Sequence, residues 1–169
     1  MTTTERSLIL NAAQVKQKIR RMAFEIYENN FDAKALVIAG IDGHGYTLAK
    51  LLAKHLESIS PIAIKLVKVS IDKSAPQLSE IGLDCDLKDI RKKCIILVDD
   101  VLNTGRTFAY GMKPFLNTEV KKIETAVLVN RSHTAFPIYP QYTGYELSTT
   151  LKEHVEVRFD KDDTGVYLH

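Results

Sequence analysis

The sequence lacks the features that mark several large classes of protein. It has only two cysteines in 169 residues, Cys85 and Cys94, and they form no paired CxxC pattern. Neither a disulfide framework nor a cysteine-rich zinc site is therefore expected. No segment approaches the roughly 18 consecutive apolar residues of a membrane-spanning helix, and the first residues lack an apolar stretch of signal-peptide length. We expect a cytoplasmic protein with reduced thiols and no membrane partner.

Charge imbalance, repeats and a P-loop are absent as well. The 23 Lys and Arg residues against 21 Asp and Glu leave a formal charge of +2, too small to draw the whole molecule to nucleic acid or membrane. No internal repeat, low-complexity tract or linker divides the chain, so residues 1–169 are expected to form a single domain. The motif GxxxxGK[ST] does not occur, which excludes a P-loop nucleotide site.

The sequence does contain an alternation of helical and strand-like apolar patterns. Apolar residues at spacings of three and four predict helices over 12–27, with Asn11 as the N-cap, and over 46–56. Short apolar runs predict buried strands over 35–39, 61–69, 94–98 and 123–129, and residues 108–116 are typical of a further helix. This order predicts an α/β fold with a mostly parallel central sheet and helices on both faces.

Two other segments complete the predicted organisation. Residues 70–93 carry Pro76, Gly82 and many charges without an apolar period, which is typical of a flexible arm, and we expect it to act as a lid. The apolar runs at 154–159 and 165–168 predict a C-terminal hairpin.

The most informative residues follow the predicted strand over 94–98. Asp99 and Asp100 bring two adjacent carboxylates to the end of a strand, where a diol or a hydrated metal ion would offset their repulsion. A short polar loop comes next, at the start of a helix: Asn103, Thr104, Gly105, Arg106 and Thr107. Hydroxyl groups, a glycine and unpaired amides at a helix start suit a phosphate. Taken singly, such residues are also typical of a solvated strand end and a threonine N-cap.

Taken together, Asp99, Asp100 and the polar loop over 103–107 resemble a known signature. The string Ile-Ile-Leu-Val-Asp-Asp-Val-Leu-Asn-Thr-Gly-Arg-Thr closely resembles the 5-phosphoribosyl-1-pyrophosphate signature of type I phosphoribosyltransferases. The resemblance implies that Asp99 and Asp100 are the catalytic pair facing the ribose hydroxyls, and that residues 103–107 wrap the 5-phosphate. Mg²⁺ suits the neutralisation of a pyrophosphate leaving group, so we expect it as cofactor, carried by the substrate without a dedicated protein site.

The C-terminal half is similar to the PyrR group, pyrimidine-operon attenuators that are also uracil phosphoribosyltransferases. The matching words are Ala-Val-Leu-Val-Asn-Arg-Ser-His from Ala126, Phe-Pro-Ile from Phe136 and Tyr-Thr-Gly from Tyr142. The resemblance covers most of the chain from Leu10 onward, except 70–93, which is shorter and lacks the basic, aromatic arm of that group. It implies uracil as the acceptor and a homo-oligomer, a dimer or larger.

A second loop resembles the pyrophosphate loop of the same family. It consists of Asp42, Gly43, His44 and Gly45, after the strand over 35–39. Closely spaced glycines let a backbone approach an anion. PyrR proteins usually carry an arginine where this sequence has His44, so a permanent charge has become a titratable one. A histidine that only caps the turn is an equal alternative.

Position 103 bears on the choice of base. Hypoxanthine-guanine enzymes have an aspartate there, an acid-base group near the purine N7, whereas Asn103 cannot take up a proton at neutral pH. A pyrimidine is therefore favoured. Val129, Asn130 and Arg131, which follow the predicted strand over 123–129, are our candidates for contacts with the edge of the base.

Three functions remain open at the level of sequence. The first is transfer of ribose 5-phosphate from 5-phosphoribosyl-1-pyrophosphate to uracil, which gives the nucleoside monophosphate and pyrophosphate. The second is a nucleotide-sensing, RNA-binding attenuator with little or no transferase activity, for which Lys16, Lys18, Arg20 and Arg21 are the best basic cluster, although it is more typical of a solvated helix face. The third is a family member that keeps the sugar-phosphate pocket but has lost efficient transfer.

Overall fold

The computed structural model describes residues 5–77 and 80–169. The strands are β1 Ser7–Leu10, β2 Ala35–Ile41, β3 Ala63–Ser70, β4 Gly82–Leu83, β5 Cys94–Leu102, β6 Lys122–Asn130, β7 Tyr142–Glu146, β8 Val155–Asp160 and β9 Asp163–Leu168. The helices are α1 Ala12–Asn29, α2 His44–Ile59, α3 Arg106–Gly111 and α4 Lys113–Leu116, and a 3-10 turn spans Leu87–Asp89. Within these ranges, no helix combines the length and the apolar character that crossing a membrane requires.

The central sheet has the strand order β4-β3-β2-β5-β6-β7. All neighbouring strands are parallel except β4, which runs antiparallel to β3. The predicted mostly parallel sheet is confirmed. Parallel pairing brings the carboxyl ends of β2, β5 and β6 to one edge, which is where ligands bind in such sheets.

Helices cover both faces of this sheet, as predicted. Alternate residues of β5 point to opposite sides: Ile96 and Val98 pack into a core with α1 and α2, whereas Ile95 and Leu97 pack into a core with α3 and α4. Because side chains alternate along a strand, the fully apolar run over 94–98 is explained by burial on both faces.

A second, antiparallel sheet has the order β1-β9-β8. Its strands β8 and β9 form the predicted C-terminal hairpin, which is confirmed, and β1 pairs with the outer side of β9. Strand β1 was not predicted, because Ser7–Leu10 is a short segment in a polar start. The sheet brings Val155 of β8 beside the end of β5, where it contributes to the cavity described below.

Several element boundaries differ from those predicted. The sequence ended the third buried strand at Val98, but β5 continues to Leu102, which pairs with Asn130 of β6. The helix predicted over 108–116 is two short helices, because Pro114 has no amide hydrogen to continue α3. The Asn11 N-cap is confirmed: its side chain accepts a hydrogen bond from the Gln14 amide at 2.9 Å, completing a capping box.

The predicted flexible arm over 70–93 needs correction in its second half. Strand β4 pairs with β3, Ile90 is fully buried, and the amide of Lys92 donates to the carbonyl of Glu119 at 2.7 Å. These contacts fix residues 82–93 to the body of the protein. Residues 78 and 79 of the predicted arm lie outside the described residues. Of the described residues in the predicted arm, only 71–77 therefore remain candidates for a lid.

Candidate functional site

A cavity of about 410 Å³ lies at the carboxyl end of β5. It is lined by Lys73, by residues 99–108 and by Val155. The lining includes every residue predicted to bind ribose 5-phosphate: Asp99, Asp100, Asn103, Thr104, Gly105, Arg106 and Thr107. The structure thus brings the two carboxylates and the polar loop to one cavity.

Asp99 is the most buried carboxylate of the cavity, with a relative exposure of 3%. The ammonium group of Lys73 lies 3.1 and 3.2 Å from its two carboxylate oxygens, and Oδ1 also accepts from the Asp100 amide at 2.9 Å. Burial, together with the neighbouring charge of Asp100, raises the pKa of Asp99 to about 7, although Lys73 opposes the shift. Burial therefore makes the ionised form of this carboxyl group costly, and Lys73 offsets part of that cost.

Gly45 is the reason that Asp99 fits beneath the start of α2. A Cβ atom on Gly45 would lie 2.7 Å from Asp99 Oδ1 and 3.0 Å from the carbonyl oxygen of Val98. Any side chain at position 45 would displace the carboxylate. A residue predicted to belong to the pyrophosphate loop thus packs directly on a predicted catalytic residue.

Asp100 faces the other way, toward the first turn of α2. His44 Nδ1 lies 3.5 Å from its Oδ2 atom, and the imidazole packs edge-on against Phe159 with ring centroids 5.8 Å apart. Burial alone would raise the pKa of Asp100, but the hydrogen bond from His44 and the charge of Lys73 outweigh it and hold the pKa below its usual value. The same hydrogen bond raises the pKa of His44, against the opposing effect of burial. This pairing favours an imidazolium beside the cavity.

The four predicted pyrophosphate residues lie in a turn and a helix start. Asp42 accepts a hydrogen bond from the amide of Gly43, which has a φ of 94°, and His44 and Gly45 belong to the first turn of α2. They do not line the 410 Å³ cavity, and His44 approaches it through its contact with Asp100.

The polar loop has the geometry of an anion cradle. Gly105 has a φ of 86°, a left-handed conformation that favours glycine, and it precedes α3. The first hydrogen bond of α3 joins the amide of Ala109 to the carbonyl of Gly105, so the amides of Thr107 and Phe108 precede the intrahelical ladder. The carbonyl of Thr104 accepts hydrogen bonds from the amides of residues 135 and 136 at 2.8 and 3.0 Å, which fixes the loop from below.

The three residues predicted to contact the base lie behind the cavity. Val129 is fully buried, and neither it, Asn130 nor Arg131 belongs to the cavity lining. The Arg131 guanidinium instead donates to Asn103 Oδ1 at 2.8 Å. Asn103 lines the cavity, so Arg131 reaches the site through it.

Sequence reasoning missed several residues of the site. Lys73 and Gln77 come from the predicted arm, where Gln77 accepts a hydrogen bond from Arg106, and Val155 comes from the hairpin. Nothing in the local sequence distinguishes Lys73 from other lysines of a polar segment. Its position in the cavity lining, beside Asp99, follows only from the fold.

The donor groups available to a metal ion are few. Among the described residues, no cluster of three or more His, Cys, Asp and Glu side chains is placed to hold a metal. The cavity offers the carboxylate oxygens of Asp99 and Asp100. Oxygen donors of this kind suit Mg²⁺, which keeps several of its waters.

Comparison with known proteins gives matches along nearly the whole chain. The model of the phosphoribosyl transferase domain family matches residues 6–162. "Bifunctional protein PyrR" of Microcystis aeruginosa is 32% identical over 161 residues, which covers 92% of this chain and 91% of the relative. The protein of the same name from Brevibacillus brevis is 33% identical over 165 residues, covering 94% of this chain and 92% of the relative.

Solved structures agree on the fold. The hypoxanthine phosphoribosyltransferase of Trypanosoma cruzi is similar with a TM-score of 0.79 and 14% identity, covering 96% of this chain and 95% of that one. A hypoxanthine-guanine phosphoribosyltransferase from Bacillus anthracis is similar with a TM-score of 0.69 and 17% identity, covering 83% and 82%. At such low identity these structures support the fold alone.

Proposed function

Because this chain belongs to the phosphoribosyl transferase domain family, whose chemistry is phosphoribosyl transfer, we propose that its cavity binds 5-phosphoribosyl-1-pyrophosphate and that the acceptor base is uracil. One observation supports the site above all others. The carboxylates of Asp99 and Asp100 and the loop over 103–107 line a single cavity of about 410 Å³ at the carboxyl end of a parallel strand. A sugar phosphate needs both kinds of contact, acceptors for its diol and donors for its phosphate.

The two ends of the cavity suggest how the donor lies in it. Ionised carboxylates only accept hydrogen bonds, so we assign Asp99 and Asp100 to the ribose hydroxyl groups. The amides and hydroxyls of residues 104–107 are assigned to the 5-phosphate. The pyrophosphate is assigned to the side of the cavity near His44, where the paired Asp100 favours the imidazolium form.

In the proposed reaction, the bond between the sugar C1 and the pyrophosphate oxygen breaks and a bond between C1 and a uracil nitrogen forms. The proton of that nitrogen passes to solvent. Negative charge develops on the departing pyrophosphate, and the ammonium of Lys73 and the imidazolium of His44 are the nearby cations that can stabilise it. When bound, Mg²⁺ would supply further neutralisation of that charge, with Asp99 and Asp100 as its protein-side oxygen donors.

Uracil rests on two observations. Asn103 lines the cavity and cannot serve as the proton acceptor that oxopurine chemistry favours at this position. The relatives that match at 32 and 33% identity carry the name PyrR, whereas the hypoxanthine enzymes share only the fold at 14 and 17% identity. We therefore propose uracil, rather than hypoxanthine or guanine, as the acceptor base.

The acceptor can be identified by incubating the protein with labelled 5-phosphoribosyl-1-pyrophosphate, Mg²⁺ and a panel of free bases. We expect nucleotide formation with uracil and rates at least roughly 100-fold lower with hypoxanthine and guanine, since a missing acid-base group costs about that much. A preference for hypoxanthine or guanine would overturn the assignment of uracil. Tight nucleotide binding without turnover on any base would favour a regulatory protein.

RNA-binding attenuation is a second candidate, because the relatives are named bifunctional. The supporting observation is a basic surface where α1 meets α2, at which Lys16, Lys54 and His55 line one cavity. The pKa of His55 is lowered, first by burial and then by the positive charges of Lys16, Arg20 and Lys54. Fluorescence anisotropy with labelled RNA at several salt concentrations tests this surface, and unchanged affinity in a Lys16→Glu, Lys54→Glu variant would exclude it.

Three further proposals concern the whole protein. We propose that residues 1–169 work as one domain, that the protein acts in the cytoplasm, and that it forms a dimer or a larger homo-oligomer. The two free cysteines support a reducing compartment. Sedimentation equilibrium measures the oligomeric state directly, and a monomer at micromolar concentration would contradict the last proposal.

A further inference from the structure

Four lysines line a second cavity, at the amino end of the central sheet. This cavity has a volume of about 320 Å³, within the range of small-molecule sites. Its lysines are Lys34, Lys92, Lys93 and Lys121, and we call it the lysine cavity. The other lining residues are Asp32, Ala33, Ala35 and the buried Cys94.

The sheet itself brings these lysines together. Lys34, Lys93 and Lys121 each directly precede one of three neighbouring parallel strands, β2, β5 and β6. Such strands lie about 4.8 Å apart. The amide of Lys121 donates to the carbonyl of Lys93 at 2.9 Å, which extends the pairing of β5 with β6 beyond both strands, and the amide of Lys92 donates to the carbonyl of Glu119 at 2.7 Å. Backbone hydrogen bonds therefore hold the segments that carry the lysines at one edge.

Positive charge is concentrated in the lysine cavity. Four lysines against one aspartate leave a formal charge of +3 on its lining, whereas the whole chain carries only +2. Like charges on neighbouring strands repel one another and destabilise the pairing. The side chains of the lining do not compensate this repulsion, so an anion from solution would relieve it.

Two carboxylates at the same edge pair with cations outside the lysine cavity. Glu119 lies 3.9 Å from the guanidinium of Arg91, and Glu124 lies 3.3 Å from the ammonium group of Lys122. Neither Arg91 nor Lys122 lines the cavity. Among the described residues, by contrast, none of the four cavity lysines forms an ion pair, although Asp32 lines the same cavity. Their ammonium groups therefore remain available to a ligand.

We propose that the lysine cavity binds a compact polyphosphate anion, either free or as the tail of a nucleotide. An ammonium group is a point charge with three donors on a flexible stem, which suits the oxygens of phosphate groups. Several negative charges in a small volume match four cations around a cavity of about 320 Å³. RNA would need a basic surface that extends beyond one cavity, and the neighbouring cations Arg91 and Lys122 are already paired.

The lysine cavity is separate from the candidate donor site. Cys94 and Asp99 lie at opposite ends of the buried part of β5, five positions apart, which corresponds to roughly 17 Å at about 3.3 Å per residue. Among the described residues, none lines both cavities. The two cavities can therefore be occupied at the same time, and the proposal does not depend on the proposed function.

Lysine footprinting tests the site where it lies. The full chain is treated briefly with an amine-acetylating reagent in Mg²⁺-free buffer, over a range of inorganic triphosphate concentrations, and the acetylation of each lysine is measured by mass spectrometry. A bound phosphate covers the ammonium group, so at about ten times the dissociation constant the acetylation of the four cavity lysines should fall by up to roughly 10-fold. Lys152 and Lys161, which are exposed and lie outside the cavity, should not change.

Two double variants with the same net charge separate a site from a general response to charge. Lys92→Gln, Lys121→Gln removes two cavity cations, and Lys152→Gln, Lys161→Gln removes two exposed cations elsewhere. The readout is the triphosphate concentration that half-protects the remaining Lys34 and Lys93. We expect the first variant to raise it roughly 10-fold, the effect of two solvent-exposed charge contacts, and the second to raise it little. Unchanged acetylation in wild type, or an equal effect of both variants, would overturn the proposal.

A series of probes identifies the anion. Protection of the cavity lysines should strengthen from phosphate to pyrophosphate to triphosphate, because the attraction grows with the charge of the anion. Adenosine 5′-triphosphate that protects as well as triphosphate would support recognition of the phosphates alone, and stronger protection would support the tail of a nucleotide. Equal protection by phosphate and triphosphate would contradict a polyphosphate site. Protection by a single-stranded RNA oligonucleotide, but by no inorganic polyphosphate, would overturn the proposal in favour of an RNA surface.

Discussion

At the scale of single residues, Asp99 is a carboxyl group placed where its ionised form is costly. Burial raises its pKa to about 7, and its only close cation, among the described residues, is Lys73 at the mouth of the cavity. A ligand with a diol, or a hydrated metal ion, would add hydrogen-bond donors or charge to this carboxylate. Ligand binding can therefore lower the free-energy cost of the buried charge.

Because of this cost, we expect the effect of Asp99→Asn on the melting temperature to depend on pH. The folded pKa of about 7 lies above the unfolded value, so ionisation destabilises the folded wild type as pH rises from about 4 through 7. Asparagine does not titrate. The melting temperature of Asp99→Asn minus that of wild type should thus be higher at pH 8 than at pH 5, by at least about 2 °C. Asp32→Asn, at an exposed carboxylate, is the control, and an equal difference at both pH values would contradict the burial of a charge at Asp99.

A second residue-scale prediction concerns Gly45. Alanine would favour helix α2 by about 1 kcal/mol, but its Cβ would lie 2.7 Å from Asp99 Oδ1 and 3.0 Å from a backbone oxygen, and such overlap costs roughly 1–3 kcal/mol. We expect Gly45→Ala to lower the melting temperature and to weaken 5-phosphoribosyl-1-pyrophosphate roughly 10-fold or more by displacing Asp99. Gly82→Ala has its nearest contact at 4.0 Å and should change neither. Wild-type affinity and stability in Gly45→Ala would contradict the tight packing of position 45 against a donor-binding Asp99.

Residues of the site could be predicted from sequence where they are contiguous. Asp99, Asp100 and residues 103–107 follow one another, so a local pattern carries their chemistry. Lys73, Val155 and the contact between Arg131 and Asn103 depend on segments far apart in the chain that only the fold brings together. The sequence indicates Arg131 as a site residue, but its burial and its contact with Asn103 depend on the fold.

At the scale of elements, the predicted arm consists of two parts with different attachments. Residues 82–93 are fixed by β4 and by the buried Ile90, whereas residues 71–77 reach the site through Lys73, which lines the cavity, and Gln77, which accepts a hydrogen bond from Arg106. The side chains of Lys73 and Gln77 are exposed, and contacts of exposed, long side chains are readily exchanged, whereas Ile71 packs against the core and Pro76 is buried. The first part is therefore the one suited to opening and closing.

Hydrogen exchange tests this division. Closure over a bound donor excludes water from the reaction, so amides within 71–77 should exchange more slowly with saturating 5-phosphoribosyl-1-pyrophosphate and Mg²⁺ than without. Strand residues 94–98, buried in both states, should show little change and serve as the internal control. Equal exchange rates of residues 71–77 in the two conditions would contradict the prediction that they act as a lid.

The elements that sequence predicted well are those with strong apolar patterns. Buried strands β2, β5 and β6 and helix α1 have such patterns, and each was found with boundaries shifted by a few residues. Strand β7 was missed because Tyr142–Glu146 contains Gly144 and polar residues, and it is held at the sheet edge by pairing with β6 rather than by its own propensity.

At the scale of the whole molecule, the sheet topology decides where chemistry can occur. Parallel strands β2 and β5 lie side by side, so the residues that follow each of them, His44 and Gly45 in one case and Asp99 and Asp100 in the other, meet at one edge. The antiparallel sheet then covers this edge with Phe159 and Val155. A site built from both sheets and from residues 71–77 requires the complete domain.

The central claim is that Asp99 and Asp100 form the sugar side of a phosphoribosyl-pyrophosphate site, and calorimetry of donor binding tests it most directly. The double variant Asp99→Asn, Asp100→Asn keeps the shape of both side chains but removes their charge. Since a hydrogen bond to a charged group contributes about 1.5–3 kcal/mol, we expect donor affinity in the presence of Mg²⁺ to fall at least roughly 100-fold, with folding verified by thermal melting. A folded double variant that binds the donor as tightly as wild type would contradict the account.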